Sequence, residues 1–248
     1  MVTRRAGAAV DHTSEDDWAA WPGWAEQAVL ELPRGVRVAS VSAHPDDDVL
    51  AVGGLLQALA EHATRLDVVV LTDGEGSHPG SPTLTSQDLR RVRREESDAA
   101  LVALGLDGCT VHRAGLPDSG LAARPDDLLG VLGSLLADAD VVLAPWRLDG
   151  HPDHEAAGRA CAAVLSGRGA LWEYPVWAWH WARPGTADLP WADAAVLPLA
   201  PSRARRKADA VACFASQVAP LSPDPRDGPV LPPEVLAHFS RPFEVVLR

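Results

Sequence analysis

Apolar residues fall along this chain in two alternating rhythms. Apolar runs rich in valine and leucine cover Val36–Ser42 and Leu66–Thr72, and shorter strand-like segments cover Cys109–Arg113, Asp140–Pro145, Ala170–Tyr174 and Phe243–Leu247. The first two read as strands buried on both faces. Between them, apolar residues recur every three to four positions over Val49–Ala63, Ser86–Leu104, Pro125–Ala137, Pro152–Ser166 and Ser202–Ser216. That period predicts amphipathic helices, and Gly105 marks the stop of the second. Strand and helix alternate across short links, so the predicted architecture is α/β, with a mostly parallel sheet covered by helices on both faces.

Three stretches break the rhythm. Residues 1–32 carry an acidic run (Asp11, Glu15, Asp16, Asp17) and three indoles (Trp18, Trp21, Trp24), which should pack this extension onto the body. Residues 175–201 are rich in tryptophan and proline, and residues 218–234, rich in proline and aspartate, read as a surface loop. The length of 248 residues suits one large domain or two small ones. A formal net charge of −12 argues against a nucleic-acid partner, which calls for a basic face. Met1-Val-Thr-Arg-Arg is not followed by an apolar core, so no signal peptide is expected. No window approaches the ~20 apolar residues of a membrane span. The 3 cysteines, Cys109, Cys161 and Cys213, are far apart and read as buried thiols. A cytoplasmic setting is the expectation.

Open α/β sheets bind ligands beyond the carboxyl ends of their strands. The first long strand ends in His44-Pro45-Asp46-Asp47-Asp48, with no glycine-rich turn, so a dinucleotide cofactor is not expected. So much carboxylate at a strand end is unfavourable without a cation or a helix N-terminus beside it. The strand ending at Pro145 leads into His151-Pro152-Asp153-His154. Pro152 suits a first helical turn, and residues three apart there share a face. His44, Asp47 and His154 supply the two nitrogens and one carboxylate that a catalytic zinc site uses, and the same ligand types serve non-haem iron. Each motif taken singly also reads as a polar helix start.

His44-Pro45-Asp46-Asp47 after a hydrophobic strand, paired with His151-Pro152-Asp153-His154, resembles the PIG-L/LmbE-like metal-dependent deacetylases. Supporting pieces are Gly53-Gly54, Leu71-Thr72-Asp73-Gly74-Glu75, Arg93 to Glu96, Gly115-Leu116-Pro117-Asp118-Ser119-Gly120, and Lys207 with Ser216-Gln217. The resemblance spans roughly residues 36–217. It implies a Rossmann-like three-layer α/β/α fold over residues 33–248 and hydrolysis of an N-acetyl group, usually on an N-acetylglucosamine conjugate. It further implies that His44, Asp47 and His154 bind one Zn2+, with Fe2+ or another divalent ion as alternatives. Asp46 would be the general base and a protonated His151 the oxyanion stabiliser. Arg93 and Asp118 would contact substrate. Relatives usually carry Glu where this chain has Asp48, which shortens the reach of that carboxylate. An ester or phosphoester hydrolase and a catalytically silent sugar-conjugate binder stay open beside this reading, as does a homo-oligomer.

Weaker features read mostly as structure. Trp172, Tyr174, Trp177, Trp179, Trp181 and Trp191 suggest a packed flap, or else an apolar wall for substrate, with His180 inside it. His78 lies in the loop after the second strand, where Asp73 and Glu75 could support the site or cap a helix. Arg203, Arg205, Arg206 and Lys207 read as a solvated helix face.

Overall fold

A computed structural model describes residues 12–248; the first eleven residues, with Asp11 and the N-terminal basic pair, lie outside the described residues. The extension supplies helix α1 (Glu15–Ala19) and strand β1 (Ala28–Val29). The body runs β2 (Arg37–Ser42), α2 (Asp47–Ala60), β3 (Arg65–Thr72), α3 (Ser86–Leu104), β4 (Thr110–Leu116), α4 (Pro125–Leu135), β5 (Val141–Pro145) and α5 (Pro152–Leu165). It continues through β6 (Ala170–Tyr174), α6 (Ala178–Trp181), β7 (Ala194–Pro198), α7 (Pro201–Ala212), α8 (Ala215–Val218), α9 (Pro233–Ala237) and β8 (Phe243–Leu247).

The strands form one sheet in the order β1-β7-β8-β6-β5-β2-β3-β4. All pairings are parallel except those of β8, which runs antiparallel to β6 and β7. The period of two along each strand divides the core. Val38, Val68, Val70, Val141 and Leu143 face α2, α3 and α7, while Ala39, Val41, Val69, Leu71, Val142 and Ala144 face α4 and α5. The expected mixed α/β architecture with helices on both faces is therefore observed. Strand β7 was not anticipated, because its five residues sit among prolines and tryptophans whose composition masks a short apolar run.

The extension lies against the Trp-rich stretch. Trp18 is fully buried, its Nε1 donating to the Trp179 carbonyl at 2.8 Å. Its ring meets that of Trp179 edge-on at 5.1 Å, and Trp21 lies 4.2 Å from Trp191. The Arg241 guanidinium sits over Trp179 at 4.5 Å and is paired with Glu15 of α1 at 2.6 Å. Strand β1 then pairs with β7 at the sheet edge.

Helix α2 is broken at Val52 (φ −135°, ψ 21°). The break frees backbone N–H groups inside the core, and the Glu244 carboxylate of β8 accepts them, from Gly54 at 2.8 Å and Leu55 at 2.6 Å. Lys207 completes this cluster with an ion pair to Glu244 at 2.8 Å. Lys207 is 4 % exposed, which corrects the expectation of a solvated face at that position. A side chain at position 54 would lie 2.5 Å from the Leu199 methyl and 3.2 Å from Glu244, so any larger residue would force these groups to shift where the break packs on the last strands. The 218–234 stretch is likewise more than a surface loop. Asp227 is fully buried and accepts from the hydroxyls of Ser81, Thr83 and Ser222, tying this segment to the loop after β3.

Candidate metal centre

The two motifs meet where β2 and β5, paired side by side, end. Asp46 occupies the N-cap position of α2, yet its side chain makes no capping bond. Its Oδ1 instead accepts from Arg93 Nη2 at 2.7 Å. Arg93 reaches across from α3, donates its Nη1 to the Gly74 carbonyl at 3.0 Å, and is 3 % exposed. Gly74 has φ +66°, and a Cβ there would overlap the Arg93 guanidinium. The polar helix-start reading of Asp46 thus gives way to a carboxylate pulled from its own helix by a buried arginine.

Asp47 folds back so that the His44 backbone N–H donates to its Oδ2 at 2.7 Å. This brings three donor groups together. His44 Nδ1 lies 3.2 Å from His154 Nε2 and 3.4 Å from Asp47 Oδ2, while His154 Nε2 lies 3.2 Å from Asp47 Oδ1. A tetrahedral ion with bonds of ~2.0–2.1 Å has ligand–ligand edges of roughly 3.3 Å. The nitrogen–nitrogen contact matches that edge, and the two Asp47 oxygens each lie close to that distance from one imidazole, so the donor set suits a small divalent cation held by two nitrogens and one carboxylate. Ligand atoms of His44, His151 and His154 also come within 4.8 Å of one another, as do those of His44, Asp118 and Asp153.

Each candidate ligand histidine presents its other nitrogen to a carboxylate, the arrangement that fixes tautomer and ring orientation in metal sites. His154 Nδ1 lies 2.7 Å from Asp149 Oδ2, and both residues are fully buried. His44 Nε2 lies 3.3 Å from Asp118 Oδ1 and 3.7 Å from Asp153 Oδ2. Asp118 also accepts the Gly76 N–H at 2.8 Å, so this residue, expected at the substrate, stands beside His44. Asp153 accepts the Leu121 N–H through one oxygen, and its other oxygen, the one nearest His44, is buried without a hydrogen-bond partner. Asp149 and Asp153 were not singled out as functional. For Asp149 the available signal was its position, two residues before the histidine motif.

Charge balance follows from these neighbours. Burial pulls the His44 imidazole down, but Asp47, Asp118 and Asp153 outweigh it and hold the group well above its ordinary value. Burial also opposes charge on His154, and Asp47 with Asp149 overcomes it, raising the group to about 9. Burial favours neutral Asp47, yet His154 and His44 hold it well below the carboxylate range. His151 goes the other way: burial, with His154 and His44 nearby, pushes it down to about 3. Its Nδ1 accepts the Asp153 N–H at 3.3 Å, so a neutral ring carries its proton on Nε2. The charged form expected from sequence is thus disfavoured, while a donor N–H remains. Asp48 points away from the cluster. The Ser40 hydroxyl donates to it at 2.9 Å, and burial pushes its carboxyl up to about 7.

The flanking features sort by contact. Trp177 is half-buried beside His151, with ring centroids 6.5 Å apart and planes 20° apart. Its neighbour His180 lies 5.0 Å away, and burial pushes that imidazole down to about 3. Trp172, Tyr174 and Trp179 are buried in the core. His78 is buried and bonded to Ser77 and to the Gly228 carbonyl. Asp73 is held by Arg94 at 2.7 Å, and Glu75 by Arg90 at 2.9 Å. Among the described residues, no helix is long and apolar enough to cross a membrane.

Comparisons with known proteins identify the family. A Corynebacterium glutamicum 1D-myo-inositol 2-acetamido-2-deoxy-alpha-D-glucopyranoside deacetylase is 30 % identical over 161 residues, which are 56 % of each chain. A probable N-acetyl-alpha-D-glucosaminyl L-malate deacetylase of Bacillus anthracis is 31 % identical over 129 residues, 50 % of this chain and 56 % of that one. The chain thus spans just over half the length of the curated relatives it matches. Among solved structures, the N,N'-diacetylchitobiose deacetylase of Pyrococcus horikoshii shares the fold with a TM-score of 0.55 and 19 % identity, over 71 % of this chain and 68 % of that one. A deacetylase of teicoplanin biosynthesis gives a TM-score of 0.57 and 25 % identity, over 73 % and 85 %. The family model described as PIG-L, GlcNAc-PI de-N-acetylase, matches residues 39–165, half of the chain and both motifs, and the protein belongs to that family.

Proposed function

We propose that the protein is a zinc-dependent N-deacetylase acting on an N-acetylglucosamine-type conjugate. The observation that carries this reading is the convergence of His44 Nδ1, His154 Nε2 and the two Asp47 carboxylate oxygens, with contacts of 3.2–3.4 Å, flanked by Asp46 and His151. The relatives' names, which specify N-acetylated amino sugars, support the substrate class.

When bound, a divalent cation supplies Lewis acidity toward a carbonyl and acidifies water near neutral pH. The chain's own residues account for the proton traffic. Arg93 anchors one oxygen of Asp46, which leaves the other to take a proton from the water that attacks the amide carbon. The Nε2–H of His151 donates to the carbonyl oxygen as negative charge develops there. Asp46 then delivers its proton to the departing nitrogen as the C–N bond breaks, yielding acetate and a free amine. Trp177 offers an indole face beside His151, suited to an apolar ring face or the acetyl methyl.

The test is a panel of N-acetylated amino-sugar conjugates and aryl esters, with and without chelator, with products read by mass spectrometry. Chelator-sensitive replacement of acetyl by hydrogen on an amino sugar is expected. Cleavage of the esters alone would overturn the amide assignment.

A further inference from the structure

The Asp149 carboxylate serves two structures at once. Its Oδ2 faces His154 Nδ1 at 2.7 Å and also accepts the Trp177 N–H at 2.9 Å. Its Oδ1 accepts the N–H groups of Val176 at 2.8 Å and Ala178 at 3.0 Å. The Asp149 carbonyl accepts Trp181 Nε1 at 2.9 Å. Gly150, at φ +89°, lets that indole approach, since a Cβ there would lie 2.7 Å from Trp181 Nε1. Asp149 is fully buried, so no solvent competes for these bonds. The segment it holds, 176–181, carries Trp177 against His151 and stacks Trp181 on Trp146 at 6.2 Å.

We propose that Asp149 is a positioning residue that couples the indole flap at 176–181 to the metal ligand His154. The proposal rests on the reading of His154 as a ligand. One carboxylate keeps the proton of His154 on Nδ1, so that Nε2 faces the other donors, and the same carboxylate anchors the flap. Coupling of this kind is reciprocal: whatever a cation gains from an ordered His154, the flap gains from the cation. An amide cannot replace the carboxylate on both sides. Asparagine has one acceptor oxygen, so its NH2 group must face either His154 Nδ1 or the flap amides.

The experiment titrates Co2+ by its visible absorption and follows amide exchange at 176–178 with and without Co2+, in the wild type and in Asp149→Asn. In the wild type, Co2+ should slow exchange at these three amides. Asp149→Asn should bind Co2+ roughly 10–100-fold more weakly and lose that protection. A residue that serves only the fold would alter thermal stability and leave the Co2+ affinity of the folded protein unmoved. Wild-type Co2+ binding without protection at 176–178 overturns the coupling, and this arm needs no variant to fold. Equal Co2+ affinity in Asp149→Asn also overturns it. Failure of the wild type to bind Co2+ overturns the metal assignment itself, a distinct result.

Discussion

Two clusters of buried charge lie along helix α2, and they are built on opposite principles. At the break in the helix, Glu244 meets Lys207 and two backbone N–H groups, so every charge faces a donor of its own. At the head of the helix, carboxylates are in excess. Asp46, Asp47, Asp118, Asp149 and Asp153 gather around His44, His151 and His154, with Arg93 as the buried arginine among them. One oxygen of Asp153 has no hydrogen-bond partner, only the His44 ring 3.7 Å away. The first cluster is closed and holds structure together. The second converges on a point with acceptors to spare, as an arrangement awaiting a cation must.

That contrast can be broken from either side. The largest effect is expected from His154→Ala, which should abolish cation binding and deacetylation together in the fraction that folds; equilibrium dialysis and product analysis read the two. Asp46→Asn comes next. It should lower kcat by roughly 10²–10⁴-fold with cation affinity near the wild type, if the residue handles protons rather than the ion as proposed. A variant with near-normal turnover would remove Asp46 from that role. Lys207→Ala should invert the pattern. Leaving Glu244 buried without its cation costs about 3–5 kcal/mol in denaturant unfolding, while the folded fraction keeps its metal affinity.

The smallest expected effect concerns the extension. Burial tends to raise the Glu15 carboxyl, but hydrogen bonds from His238 and Arg241 outweigh it, and the group lies below its ordinary 4.5. A depressed carboxylate contributes stability that is present above 4.5 and fades as pH falls through the folded value. Docking of α1 should therefore weaken in acid, seen as exposure of Trp18 to fluorescence quenchers below about pH 4.5. Glu15→Gln should flatten that dependence.

The legible parts of this molecule were those set by local pattern. Strands β2, β3 and β5 are buried on both faces, so their apolar runs are continuous and could be read directly. Both histidine motifs sit at strand ends, where the α/β frame fixes their place before any side chain is positioned. What escaped was decided by partners distant in the chain. Lys207 belongs to a charged run on α7, and nothing near it announces Glu244. Arg93 reads as a substrate contact, and its pairing with Asp46, 47 positions earlier, has no local signal. Asp149 resembled any loop aspartate until the three amides at 176–178 closed around it. The protonated His151 that the resemblance implies is disfavoured by burial and by two neighbouring imidazoles, which the local sequence does not reveal.

Strand β8 carries a consequence for the order in which this molecule assembles. It lies in the interior of the sheet, between β6 and β7, although it is the last strand in chain order. Its Glu244 caps the break in α2 across a separation of 190 residues. Contacts of such high order form late and slow the search for the native state. Helix α2, whose first residue is Asp47, is thus completed by the arrival of β8. During refolding, competence to take up a cation should appear with the slowest folding phase and lag behind the gain of helical signal.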